Sequence, residues 1–135
     1  IPLIIPCEVA VKSVVPAVRA LMAHELLERH GLKQGRVAEI LGISQSAVSK
    51  YSNKVRGYVV EIDKVEDVHP LVNDMITMLL SREYARAEFV DLFCKVCKVV
   101  RKTGLVCQFC KKAEPNLKIE DCSFCLEVKF QKSKE

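Results

Sequence analysis

Six of the seven cysteines in this 135-residue chain stand as C-x2-C pairs: Cys94 with Cys97, Cys107 with Cys110, and Cys122 with Cys125. Thiolates are soft ligands, and two side chains at this spacing can reach one metal ion. Two pairs therefore complete a four-thiolate shell, while three pairs supply more sulfur than one ion needs. Three chemistries fit. A structural zinc would fold a tail too polar to hold itself together, and this is the first expectation. An iron–sulfur cluster, able to report oxygen or iron supply, is the alternative cofactor. The third is a metal-free dithiol that oxidises to disulfides. No pair has the Pro inside and Gly after that tighten a standard zinc knuckle. Cys7, near the start of the chain, is a further candidate that completes or gates the site.

A second set of candidates lies in QGRVAEILGISQSAVSKYSN, from Gln34 to Asn53. Taken as a helix, a turn and a helix, it puts Val37, Ala38, Leu41, Ile43, Val48 and Tyr51 on one inward side. Gly42 suits the corner, where a residue past a helix C-terminus commonly needs φ > 0. Ser44 offers a hydroxyl to cap the next helix. This is the spacing of a DNA-binding helix-turn-helix, whose second helix enters the major groove. Gln45, Ser46 and Ser49 are then expected to face base edges, with Gln45 able to pair bidentately with adenine. Gln34, Arg36, Lys50, Asn53 and Lys54 are expected to hold phosphates, and Ser44 at the helix start belongs to the same DNA-binding set.

The run GLKQGRVAEILGISQSAVSKY resembles the lambda-repressor or XRE-type helix-turn-helix family. The resemblance implies that a Gln opening the first motif helix, here Gln34, braces against the DNA backbone. It implies also that a Gln opening the second, here Gln45, reads a base. The whole chain is similar to a group of predicted archaeal transcriptional regulators that carry such a domain ahead of a cysteine-rich tail. Their near-terminal Pro-Cys-Glu stands here as Pro6, Cys7 and Glu8.

The elements that must position these residues read as mainly α. Residues 1–60 form a helix-turn-helix domain with an N-terminal arm, 61–93 a helical linker or dimerisation region, and 94–135 a cysteine-rich metal-binding tail. Ile1 to Lys12, with two prolines, reads as an extended arm or edge strand. Ser13 is placed to cap a helix that carries Pro16 in its first turn and stops at Gly31, with Glu25 and Arg29 spaced to pair. YVVEIDKVEDV reads as a short strand or an acidic connector. PLVNDMITMLLSRE then forms a helix whose stripe of Leu71, Met75, Met78 and Leu79 is either core or the contact of a homodimer. REYARAEFVDLFCKVCKVVRK forms another, ending at Gly104, with Cys94 and Cys97 on one face.

Half the residues are hydrophobic and the net charge is +4, which permits nucleic acid as a partner without demanding it. Lys33, Arg36, Lys50, Lys54 and Arg56 cluster about the motif. The cations near the cysteine pairs, among them Lys95, Arg101 and Lys111, read as counter-charge to thiolates as readily as a phosphate surface. The apolar start is broken by Pro2, Pro6 and Glu8 and lacks a basic leader, and no stretch is long and clean enough to span a membrane. Cysteines in C-x2-C pairs then favour a reducing cytoplasm with metal-bound or redox-active thiols.

His24 and Glu25 begin like H-E-x-x-H, but position 28 is Glu, so no zinc-protease pair forms. There is no phosphate-cradling glycine loop and no supported Ser, His and acid set, so a non-enzyme is expected. A sequence-specific transcription regulator is the leading expectation. The alternative is a zinc-dependent protein-interaction adaptor without specific DNA binding.

Overall fold

The computed structural model describes residues 5–52 and 61–116, together with positions 118, 120, 122 and 125. Its elements, in order, are α1 (Pro6–Glu28), α2 (Gln34–Leu41), α3 (Gln45–Ser52), a 3-10 turn (Ile62–Lys64), α4 (Val68–Ser81), α5 (Arg86–Lys102) and α6 (Cys107–Ala113). The fold is mainly α, and no strand occurs among the described residues. None of the helices is long and apolar enough to cross a membrane.

The helix α1 is the post around which the others stand, since it touches α2 through α6 and the 3-10 turn. Its buried residues, among them Val14, Val18, Ala20, Leu21, Met22, Ala23 and Leu26, fall around nearly its whole circumference. A helix that is apolar on all sides belongs at the centre of a domain.

The extended arm expected over residues 1–12 is not what forms from Pro6 onward. Pro6 opens α1 in its first turn, where a missing N–H costs nothing, so that proline starts the helix. Buried Val9 and Ala10 carry the helical spacing of Ser13, Val14, Ala17 and Val18 one turn upstream. Ser13 does not cap: its hydroxyl donates to the Val9 carbonyl at 2.7 Å inside the helix. Pro16 is likewise internal, and the carbonyl that its ring deprives of a donor is that of exposed Lys12. The helix ends as expected near Gly31, at φ 63°, and Arg29 meets Glu25 at 3.0 Å.

The α2–α3 corner is built from local chemistry. Gly42 adopts φ 67°, and the Ile43 N–H returns to the Ala38 carbonyl at 3.0 Å, which closes α2 in a left-handed cap. The Ser44 hydroxyl then accepts the Ala47 N–H at 3.0 Å and opens α3. Val37 and Ala38 of α2 are buried with Ala47, Val48 and Tyr51 of α3, and α3 packs on both α1 and α2. Leu41 and Ile43 are half-buried against the same core.

Beyond this corner, the strand-or-connector segment is a 3-10 turn over Ile62–Lys64, with Ile62 buried; its residues 58–60 lie outside the described set. The helix α4 begins at Val68, two residues before the expected Pro70, because a proline is tolerated throughout the first helical turn. Met75 is fully buried with Val72 and Ile76, so that methionine serves the core of this chain. Arg82, at φ 59°, is the left-handed cap of α4, so α5 starts at Arg86 and not at the expected Arg82; it packs along α4 and ends at Lys102, with Thr103 as its cap before Gly104 at φ 83°.

Candidate functional site

Two places concentrate the chemistry. On α3 the buried residues Ala47, Val48 and Tyr51 take one side of the helix. Gln45, Ser46, Ser49 and Lys50 share the opposite side, Gln45, Ser46 and Lys50 exposed and Ser49 half-buried. Polar side chains on this face compete with no core contact, so they are available to hydrogen-bond a partner. Gln45 reaches back over the first turn of α2, where a Cβ built on Gly35 would lie 3.7 Å from its Oε1. Gln34, half-buried, opens α2 beside that glycine. The openings of α2 and α3 thus lie side by side, each carrying a glutamine amide with both donors and an acceptor.

Ser44 is exposed but its Oγ is engaged in the α3 cap, so its first duty is structural. Arg36 shares its guanidinium with Glu39 at 3.2 Å, and Arg82 approaches the same carboxylate at 3.5 Å. All three side chains are well exposed, so the pairing is weak and can yield to another anion. Asn53 and Lys54 lie outside the described residues.

The second place is the thiol region. All seven cysteines are reduced and unpaired. Cys94 is exposed and Cys97 half-buried one turn apart on α5; Cys107 and Cys110 are half-buried on α6; in the tail Cys122 is exposed and Cys125 half-buried. Cys7, exposed on the first turn of α1, joins them in space across 94 residues of sequence.

What gathers these sulfurs is Arg101, a charged residue only 6% exposed in the last turn of α5. Its Nε donates to Cys125 Sγ at 3.4 Å and its Nη1 to Cys7 Sγ at 3.8 Å. Burial pulls the Arg101 pKa down, but the Cys125, Cys7 and Cys97 thiols more than offset it, so the net shift is upward and the group stays charged.

The same environment pushes three thiols up. Burial is the main cause for Cys97, opposed by Arg101 and aided by nearby Cys7 and Cys94. Burial leads also for Cys107, followed by Cys125 and Cys122. For Cys110 it is followed by Cys125, Cys107 and Cys122. The Arg101 guanidinium thus meets Cys125 of the tail and Cys7 of α1 together. Among the described residues, no three Cys, His, Asp or Glu side chains converge on one point as ligands of a single ion do.

Sequence reasoning grouped Arg101 with the surface lysines as general counter-charge. Its position four residues after half-buried Cys97, on the same row of α5 and next to buried Val100, is the signal that sets it apart. Lys95, by contrast, is exposed and pairs with Asp91 at 3.0 Å.

Comparison with protein-family models, with curated proteins and with solved structures found no match to this chain.

Proposed function

We propose that the protein is a sequence-specific DNA-binding transcription regulator of the helix-turn-helix kind, with a cysteine-ligated metal centre in its C-terminal part. The observation that carries the reading is the outward polar face of α3, Gln45, Ser46, Ser49 and Lys50, on a helix whose other side is locked into the core. A helix presented in this way fits the major groove, with its early residues reaching deepest. Gln45 is assigned to a base edge, where its amide matches adenine N6 and N7, and Ser46 and Ser49 contact the neighbouring pairs. Gln34, Arg36 and Lys50 follow the phosphates, with Arg36 exchanging Glu39 for a phosphate oxygen. Asn53 and Lys54 are assigned to the backbone on sequence grounds alone.

The donor chemistry of the tail suits zinc: Cys107, Cys110, Cys122 and Cys125 are the four thiolates that would hold it, and buried Arg101 offsets their charge. Metal bound there supplies folding energy to a segment with little core of its own, since α6 buries none of its residues fully. A homodimer reading a two-fold operator completes the proposal, with exposed Leu80, Tyr84 and Val90 at the α4–α5 corner as the apolar surface left for a partner copy.

Selection of a duplex from random DNA, followed by gel shifts on the selected and a scrambled sequence, tests the first part. Preference for the selected duplex supports the reading. Equal, negligible affinity for both at moderate salt would favour the protein-interaction adaptor instead. Metal analysis of protein purified without oxygen tests the second part: colourless protein with stoichiometric zinc supports it, and a brown, iron-containing sample would replace zinc by an iron–sulfur cluster.

A further inference from the structure

Two arginines from different helices meet on one oxygen. Exposed Glu39 of α2 holds Arg36 Nη1 at 3.2 Å and Arg82 Nη2 at 3.5 Å, both on its Oε1. Arg36 lies one turn upstream in α2 itself, whereas Arg82 is the C-terminal cap of α4. A third arginine, Arg86 at the start of α5, lines with Arg82 the groove that opens beside Glu39. Among the described residues that line this groove, Glu39 is the one acid.

Guanidinium groups drawn to a single oxygen repel each other, so the arrangement calls for an anion between them. One carboxylate leaves the corner with positive charge in excess. Arg82 also stands at φ 59°, the one non-glycine residue with positive φ among those described, at a cap position where glycine is the ordinary choice. Its side chain is thus carried at a cost to the backbone, and an exposed ion pair offsets little of that cost.

We propose that Arg82 is a second anchor for the DNA backbone, next to Arg36, and that Glu39 holds the place of the phosphate the two arginines take. The inference rests on the reading of α2 and α3 as a helix-turn-helix and extends its contact surface to the α4–α5 corner. In that reading the first helix of the motif crosses the sugar-phosphate backbone, and the link through Glu39 puts Arg82 beside Arg36 of that helix. A phosphate offers a separate oxygen to each guanidinium, where Glu39 gives both the same one. Glu39 therefore competes with every duplex alike, and preference among duplexes stays with Gln45.

The test measures the affinity of the full chain for the selected and the scrambled duplex over a series of salt concentrations, together with the melting temperature. Arg82→Gly suits the left-handed backbone and should keep or raise the melting temperature. It should nonetheless weaken both duplexes by about threefold to tenfold near physiological salt, and reduce the slope of log affinity against log salt by about one. Glu39→Gln should strengthen both duplexes by a similar factor. An Arg82→Gly chain that binds as tightly as the parent with the same salt slope overturns the anchor. So does one that loses affinity only for the selected duplex, or one whose melting temperature falls. If Gln45→Ala leaves the preference unchanged while Arg82→Gly behaves as expected, the base assignment falls and the anchor stands. A parent chain that binds neither duplex overturns both.

Discussion

Gly42, Ser44 and Gln45 are consecutive steps of one small device, save for Ile43 between them, and each has a separable consequence. Gly42 is held at φ 67° with open space where a Cβ would stand, so Gly42→Ala meets no clash and costs only the left-handed backbone, about 1–2 kcal/mol by chemical denaturation. Ser44→Ala removes the acceptor of the Ala47 N–H and should cost about 0.5–2 kcal/mol. Gln45→Ala touches neither the core nor a cap. It should leave the melting temperature unchanged and cost about 1–3 kcal/mol of binding to the preferred duplex alone. A drop in stability from Gln45→Ala comparable to that from Ser44→Ala would show that its amide serves the fold. The corner was legible in the sequence because its turn and cap bonds each span no more than five residues. Arg101 was not, because its sulfur partners lie 24 and 94 residues away and only the packing of α1 and the tail on α5 brings them in.

At the scale of the element, α1 decides the stability of the whole. Leu26 is fully buried near its C-terminal end, and Leu26→Ala should cost about 2–5 kcal/mol. Exposed Val11 on the same helix offers the control: Val11→Ala should change stability by no more than about 0.5 kcal/mol. The first turns of α1 were misread for a physical reason. A proline near a chain start suits an extended arm and the first turn of a helix equally, and the apolar spacing of Val9, Ala10, Ser13 and Val14 decides between them only once the small hydroxyl of Ser13 is counted as a core position. The helix-facing stripe of α4 left core and dimer contact open for a similar reason. Periodicity names the buried face of a helix without naming what buries it, and Met75 turned out to face this chain's own core.

For the whole molecule, the account joins a rigid helical reader to a thiol region whose order depends on metal. Removal of zinc with a chelator should lower protection of the backbone amides of α6 while leaving those of α1 and α3 unchanged, as read by hydrogen exchange. Loss of protection throughout would make the metal a part of the main core. Buried Arg101 ties the two regions together, since it is anchored in α5 and touches sulfur from both α1 and the tail. The general outline, helices with a cysteine-rich end, was readable from periodicity and C-x2-C spacing. The meeting of Cys7 and Cys125 at Arg101 was not, because spacing along the chain pairs cysteines but does not say which distant ones share a partner.

The claim on which all of this turns is that the outward face of α3 reads DNA. The most direct measurement is the affinity of the parent and of Gln45→Ala for a selected and for a scrambled duplex, at a single stated salt concentration. The account predicts that the substitution weakens the selected duplex by about tenfold to a hundredfold and the scrambled one hardly at all. Equal loss on both duplexes, or no loss on either, would contradict it.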